Sequence, residues 1–180
     1  SGTVDFSASS NVDFTGATVS GLSSSTWATL GDKDGANGPQ AIIIGENAVG
    51  GTEAVAIGKN AGDSGGDYSQ AIGNNAGNTG QGVAAVALGS QSGETSQGDK
   101  AVAVGQYAGQ TTQGSQAIAI GNNAGKTTQG GYAVAIGRNA GLTTQGAGGI
   151  AVGSGAGKTT QGLSGIAIGY LAGESNQGGG

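Results

Sequence analysis

Nine glycines set the frame: Gly45, Gly58, Gly73, Gly89, Gly105, Gly121, Gly137, Gly153 and Gly169. They follow one another at intervals of 13, 15 and then, six times in a row, 16 residues. Each closes a short apolar segment, as in Ala101-Val102-Ala103-Val104-Gly105, Ala117-Ile118-Ala119-Ile120-Gly121 and Ala133-Val134-Ala135-Ile136-Gly137. Self-similarity at a short fixed period belongs to solenoids, in which each repeat buries its surface only against its neighbours. Collagen is excluded, because its glycines recur every third residue.

The repeat reads small–(Val/Ile)–Ala–(Val/Ile)–Gly–x–Asn–Ala–Gly–x–Thr–Thr–Gln–Gly–x–x. Its first four positions alternate small and β-branched residues, the period-two pattern of a strand. Two ladders are expected from that alternation. Val102, Val104, Ile118, Ile120, Val134, Ile136, Ile150, Val152, Ile166 and Ile168 should stack as a buried core. Ala87, Ala103, Ala119, Ala135, Ala151 and Ala167 should form a small outer face suited to close approach by another chain. Gly89, Gly105, Gly121, Gly137, Gly153 and Gly169 should sit at corners, where positive φ is cheap for glycine alone. Asn47, Asn60, Asn75, Asn123 and Asn139 precede a second corner, and Asn tolerates the left-handed region. The column Gln81, Gln97, Gln113, Gln129, Gln145, Gln161 and Gln177 should hydrogen-bond along the long axis.

A rung of this length has room for two short strands, of four or five residues, with helix nearly absent. The expected fold is all-β, a parallel β-solenoid flattened into a β-roll. Nine rungs at the strand spacing give a rod of about 43 Å. Two β-branched side chains per rung are a thin core for sixteen ordered residues, which points to a second buried surface between chains. Rungs near the start are irregular. Ile42-Ile43-Ile44 is apolar on both faces and Gln70 replaces the first Val/Ile of its strand, the marks of a capping transition.

Composition narrows function by exclusion. There is no Cys and no His, so zinc sites, thiol nucleophiles and imidazole acid–base chemistry lose their usual residues. A net charge of −5 with six scattered basic residues offers no basic stripe for nucleic acid. No apolar run approaches the ~18 residues of a membrane helix. Both ends read as boundaries of a piece taken from a longer protein. The Asp32-Lys33-Asp34 cluster lacks the further oxygen ligands of a calcium loop and reads as a solvated turn. No catalytic, cofactor-binding or metal-binding residue is expected, and no enzymatic activity.

The Ala-(Ile/Val)-Ala-Ile-Gly-x-x-Ala unit over residues 41–177 resembles the head repeat of YadA-like trimeric autotransporter adhesins. The resemblance implies a left-handed parallel β-roll, three chains to a head, and binding to surfaces. The Thr-Thr-Gln-Gly segment departs from it by lengthening the rung. Residues 1–40 differ: Val4-Asp5-Phe6 and Val12-Asp13-Phe14-Thr15-Gly16-Ala17-Thr18-Val19-Ser20-Gly21-Leu22 resemble segments of phage tail-fibre proteins, particularly those of marine cyanobacterial phages. Such fibres are trimeric and also carry YadA-like repeats. Two regions follow, an N-terminal fibre or capping segment at 1–40, where Trp27 would pack against the roll, and a β-roll domain at 41–180.

The functional expectation is a structural fibre segment of a virion that takes part in host attachment. It would be an intertwined or side-by-side homotrimer, its further partner a cell-surface receptor or glycan. The alternatives are a trimeric adhesin head on a bacterial outer membrane, or an ice- or saccharide-binding solenoid. The Thr columns, Thr111, Thr127, Thr143, Thr159 and Thr112, Thr128, Thr144, Thr160, invite the ice reading. Because the two are adjacent, strand geometry sends them to opposite sides. Tyr68, Tyr107, Tyr132 and Tyr170 fall at corners or flanks, where an aromatic ring can stack on sugar or pack against the roll.

Overall fold

A computed structural model describes residues 29–30, 41–62 and 66–178. The rest of the 1–40 segment, with Trp27, the Asp32-Lys33-Asp34 cluster and the fibre-like motifs, lies outside the described residues. Among the described residues there is no helix. The strands, in chain order, are β1 Thr29–Leu30, β2 Ile42–Ile44, β3 Val55–Ile57, β4 Gln70–Ile72, β5 Val86–Leu88, β6 Val102–Val104, β7 Thr112–Gln113, β8 Ile118–Ile120, β9 Thr128–Gln129, β10 Val134–Ile136, β11 Thr144–Gln145, β12 Ile150–Val152, β13 Thr160–Gln161 and β14 Ile166–Ile168.

They form a parallel β-solenoid of two sheets. The larger has the order β1-β2-β3-β4-β5-β6-β8-β10-β12-β14 and the smaller β13-β11-β9-β7. Bridges at Gln81–Gln97, Gln97–Gln113 and Gln161–Gln177 extend the smaller sheet in both directions. Every rung meets the next in strict register, as in Val134↔Ile150, Ala135↔Ala151 and Ile136↔Val152. The register survives the 13- and 15-residue intervals, since Val55 pairs with both Ile42 and Gln70. Strands are three residues long in one sheet and two in the other, shorter than the four or five expected, because corners consume most of a sixteen-residue turn.

The interior reverses the sequence expectation. The Ala column, Ala87, Ala103, Ala119, Ala135, Ala151 and Ala167, points inward and is buried to 2% exposure or less. Val102, Val104, Ile118, Val134, Ile150 and Val152 are only half-buried, and Ile120, Ile136, Ile166 and Ile168 are exposed. The expected core ladder is therefore the outer face, and the expected contact face is the core. The physical reason lies across the roll. Gln113, Gln129, Gln145 and Gln161 come inward from the second sheet, each about 1% exposed. The Gln129 Nε2 donates to the main-chain oxygen of Ile118 in the opposite sheet at 2.7 Å. One glutamine side chain thus spans the gap, and a gap that narrow leaves room opposite for a methyl group only.

Gln113, Gln129, Gln145 and Gln161 are satisfied in the same way. Besides Ile118 O, Gln129 Nε2 approaches Ala133 O at 3.3 Å and Gln145 Oε1 at 3.2 Å, and Gln129 Oε1 accepts from Gln113. The chain of amides runs unbroken from Gln97 to Gln177. At its start the Oε1 atoms of Gln81 and Gln97 are buried without a donor. Where glutamine is lacking, bulk replaces it. Ile43 takes the inward position of the first rung at 6% exposure, and Gly50 makes room for it, since a Cβ there would lie 2.8 Å from Ile43 Cδ1. Strand β1 pairs antiparallel with β2 and covers that edge.

The corner glycines Gly89, Gly105, Gly121, Gly137, Gly153 and Gly169 share φ between +119° and +128°. At Gly121 a Cβ would sit 2.8 Å from the backbone of Gly137 in the next rung, so the column excludes any side chain as well as any ordinary φ. Asn47, Asn60, Asn75, Asn123 and Asn139 have φ of 52–58°, and Asn47→Asn60→Asn75 and Asn123→Asn139 are joined by side-chain hydrogen bonds of 2.9–3.1 Å. A further left-handed position ends each rung, held by Glu53, Tyr68, Ala84, Lys100, Gln116, Tyr132 and Ser164 and, in one rung, by Gly148, where the conformation is free of cost. No residue preference marks it, and each non-glycine residue there costs about 1–2 kcal/mol relative to ordinary backbone.

If the amide chain is the core, Gln129→Ala should destabilise the roll by about 3 kcal/mol or more. It removes one bridging side chain, leaves Gln145 Oε1 and the Ile118 carbonyl short of a donor, and opens a void. Urea unfolding of the variant against the parent measures this, and a loss under about 1 kcal/mol would contradict it.

Candidate functional site

Once the alanines and glutamines fill the interior, the two sheets present two different surfaces. On the larger sheet the outward positions of β2 to β6 and of β8, β10, β12 and β14 carry Ile42/Ile44, Val55/Ile57, Gln70/Ile72, Val86/Leu88, Val102/Val104, Ile118/Ile120, Val134/Ile136, Ile150/Val152 and Ile166/Ile168. Gln70 is the single polar side chain among them. The strip is about 43 Å long and one three-residue strand, about 10 Å, wide. Apolar residues continue at the rim, with Val83 and Leu163 exposed on the turn that leads into this sheet. These aliphatic side chains form one contiguous strip rather than scattered single exposures. Most of its side chains are β-branched, with little rotamer freedom to lose on contact.

The smaller sheet carries the threonines. Thr112, Thr128, Thr144 and Thr160 open the two-residue strands and point away from the inward glutamines. Thr111, Thr127, Thr143 and Thr159 are exposed as well. Adjacent threonines were expected on opposite sides of a strand. The correction follows from where the strand begins: the first threonine of each pair stands in a bend outside the strand, so it escapes the alternation. Thr144 pairs with both Thr128 and Thr160, which sets the hydroxyls in rows at the rung spacing.

The narrow edges hold the charges. Lys59 pairs with Glu46 and Lys158 with Glu174, each at 3.1 Å, the first pair exposed and the second half-buried, surface contacts worth about 0–1 kcal/mol. Lys126 Nζ lies 4.9 Å from the centre of the Tyr107 ring. Tyr68, Tyr132 and Tyr170 are largely exposed, at 51%, 66% and 76%, on separate rungs. The rungs keep them apart, so they form no shared aromatic platform. Among the described residues no group of three acidic side chains is placed to hold a metal, and no helix is long and apolar enough to cross a membrane.

Sequence reasoning divided each strand correctly into two faces and assigned them the wrong way round. One signal favoured the observed assignment. The outward column admits Gln70, whereas the inward Ala column from Ala56 to Ala167 admits no substitution. That signal is weak by itself, because the other glutamine column of the repeat is buried. Comparison with family models, with curated proteins and with solved structures gives no match to this chain.

The two faces separate in mutation. Ala135→Leu should lower chain stability by about 2 kcal/mol or more, since a methine carbon and two methyl groups must enter a closed interior. Ile136→Asp, one residue on, should change the folding of a single chain by under about 1 kcal/mol and act on association instead. Unfolding curves at low protein concentration test the pair; a reversed order would restore the β-branched column as the core.

Proposed function

We propose that this chain is a non-enzymatic structural segment of a fibre or adhesin, built from parallel rolls that associate side by side through the Val/Ile face. The observation that carries the reading is that face: a strip of aliphatic side chains along nine rungs, β-branched except at Leu88, with one polar interruption at Gln70. Burying it between copies removes a long apolar surface from water. The Ala face cannot serve, because it is already buried within each roll.

Association about an axis along the rod suits a repeat of this kind. Identical rungs from identical chains meet at equal heights only when all chains run the same way about a rotation axis. The number three rests on the resemblance of the Ala-(Ile/Val)-Ala-Ile-Gly unit to YadA-like heads, and placement in a virion tail fibre on the tail-fibre-like segments of residues 1–40. An outer-membrane adhesin head is the alternative setting. In either one the segment spaces or presents a host-recognition surface, and the receptor or glycan contacts fall on the threonine face and the edges, which remain outermost. Native mass spectrometry should report about three times 16.8 kDa. A folded monomer at micromolar concentration would overturn the assembly, and Ile136→Asp should convert the assembled species to monomer.

A second reading has one observation in its favour. Both Thr columns are exposed and the Thr112, Thr128, Thr144 and Thr160 column stacks in register, so the objection that one threonine of each pair must point inward falls. On this reading the rod binds ice or a saccharide along its length. Thermal hysteresis that is lost in Thr128→Tyr with Thr144→Tyr would support an ice surface; a parent with no hysteresis and no retention on polysaccharide would remove the reading.

A further inference from the structure

A solenoid of equal rungs has a built-in ambiguity: two copies can slide by one rung and meet nearly the same surface. Outward residues on neighbouring rungs are interchangeable Val, Ile and Leu. Slippage by a full rung loses the overlap of one rung in nine and changes little else. Register is weakly specified wherever a face repeats itself, and an assembly that presents a recognition tip needs all chains to end at one height.

The side chain that breaks the repeat is Gln70. It stands on β4 at the outward position that every other rung gives to Val or Ile, with Val55 beside it on one side and Val86 on the other. It is exposed. Its Nε2 donates weakly, at 3.3 Å, to Tyr68 O on its own rung. Its Oε1 has no donor among the described residues. Among the described residues nothing in the roll requires glutamine there, in contrast to the inward column, where each Nε2 spans the two sheets.

We propose that Gln70 is the register key of a parallel assembly of this chain. The inference rests on the Val/Ile face being the contact between copies. In register, a rotation axis along the rod brings every Gln70 into one layer, where each amide offers two donors and an acceptor to its equivalents. Shifted by one rung, each Gln70 faces the Val55/Ile57 or the Val86/Leu88 layer of its neighbour and is buried unpaired. Antiparallel copies overlapping along all nine rungs meet the same penalty, because Gln70 on the third rung then lies against Val134 on the seventh. A lone polar residue in an apolar contact sets register in coiled coils by this means, at some cost in affinity. The same observation selects the occupant. An unrelated partner would need its own hydrogen-bonding group at that height, whereas a parallel copy brings one by symmetry.

The test reads register directly. Full-length chains carrying Val104→Cys are mixed with chains carrying Ile120→Cys and oxidised. Equal heights favour 104–104 and 120–120 disulfides and a one-rung slip favours 104–120, because an axial offset of about 4.8 Å added to the spacing between chains carries a pair toward or beyond the Cα–Cα limit of about 6.8 Å. With Gln70 present, same-height products should dominate. In Gln70→Val the ratio of same-height to slipped products should fall about tenfold or more, the effect of one unpaired buried amide, while the assembled mass is kept or strengthened. Moving the amide, as Gln70→Val with Val134→Gln, should restore the ratio. An unchanged ratio in Gln70→Val, loss of assembly in that variant, or no recovery in the relocated variant would each overturn the proposal. A parent that stays monomeric and yields no disulfide would overturn the assembly itself, an outcome separate from the other three.

Discussion

A glutamine amide that reaches from one sheet to the main chain of the other is the interaction on which this roll depends. Gln113, Gln129, Gln145 and Gln161 each tie their own strand to a carbonyl eleven residues back, to one four residues on, and to the next glutamine along the axis. The interior is thereby set to the width of one side chain. At that width a polar core is stable, because a buried amide whose hydrogen bonds are met carries no desolvation penalty of the kind an unmet one does. The amides also run in one direction, each Nε2 donating to the Oε1 that follows, so consecutive dipoles reinforce one another.

Everything outside follows from that narrow interior. Alanine is the only apolar residue that fits opposite the amide, so the larger β-branched side chains are turned outward on the same strands. A single chain therefore carries an inside-out distribution of bulk: small and polar residues within, aliphatic residues on the broad face. Such a molecule is well tied along its axis by backbone hydrogen bonds and amides, and is left with an apolar surface that contact with further copies would cover. The threonine sheet and the charged edges stay available to solvent or to a ligand.

The corners tax the fold at fixed places. In a regular rung four residues take positive φ, two of them glycines whose missing Cβ lets a neighbour approach, as at Gly121 against Gly137 and at Gly125 against Gln129. The other two are an Asn position, whose side chains stack into hydrogen-bonded rows, and the rung-ending position, where Tyr132 and Lys100 adopt the left-handed region with no local aid. Such strain persists because the rungs above and below over-determine the backbone.

The sequence by itself determined the solenoid, its sixteen-residue turn, the corner glycines, the axial glutamine column and the in-register stacking, because period and glycine placement are properties of the chain read in one dimension. It also determined that each strand has a β-branched face and an alanine face. Which of the two turns inward was decided only in three dimensions. Alternation has no sign, and the choice depends on the distance between sheets, which the reach of Gln129 to Ile118 sets from eleven residues away. The same holds for Thr111 and its equivalents, whose direction depends on where a strand begins, and for Gln70, an irregularity in the sequence that becomes a feature of a surface only when its column is seen to lie outside.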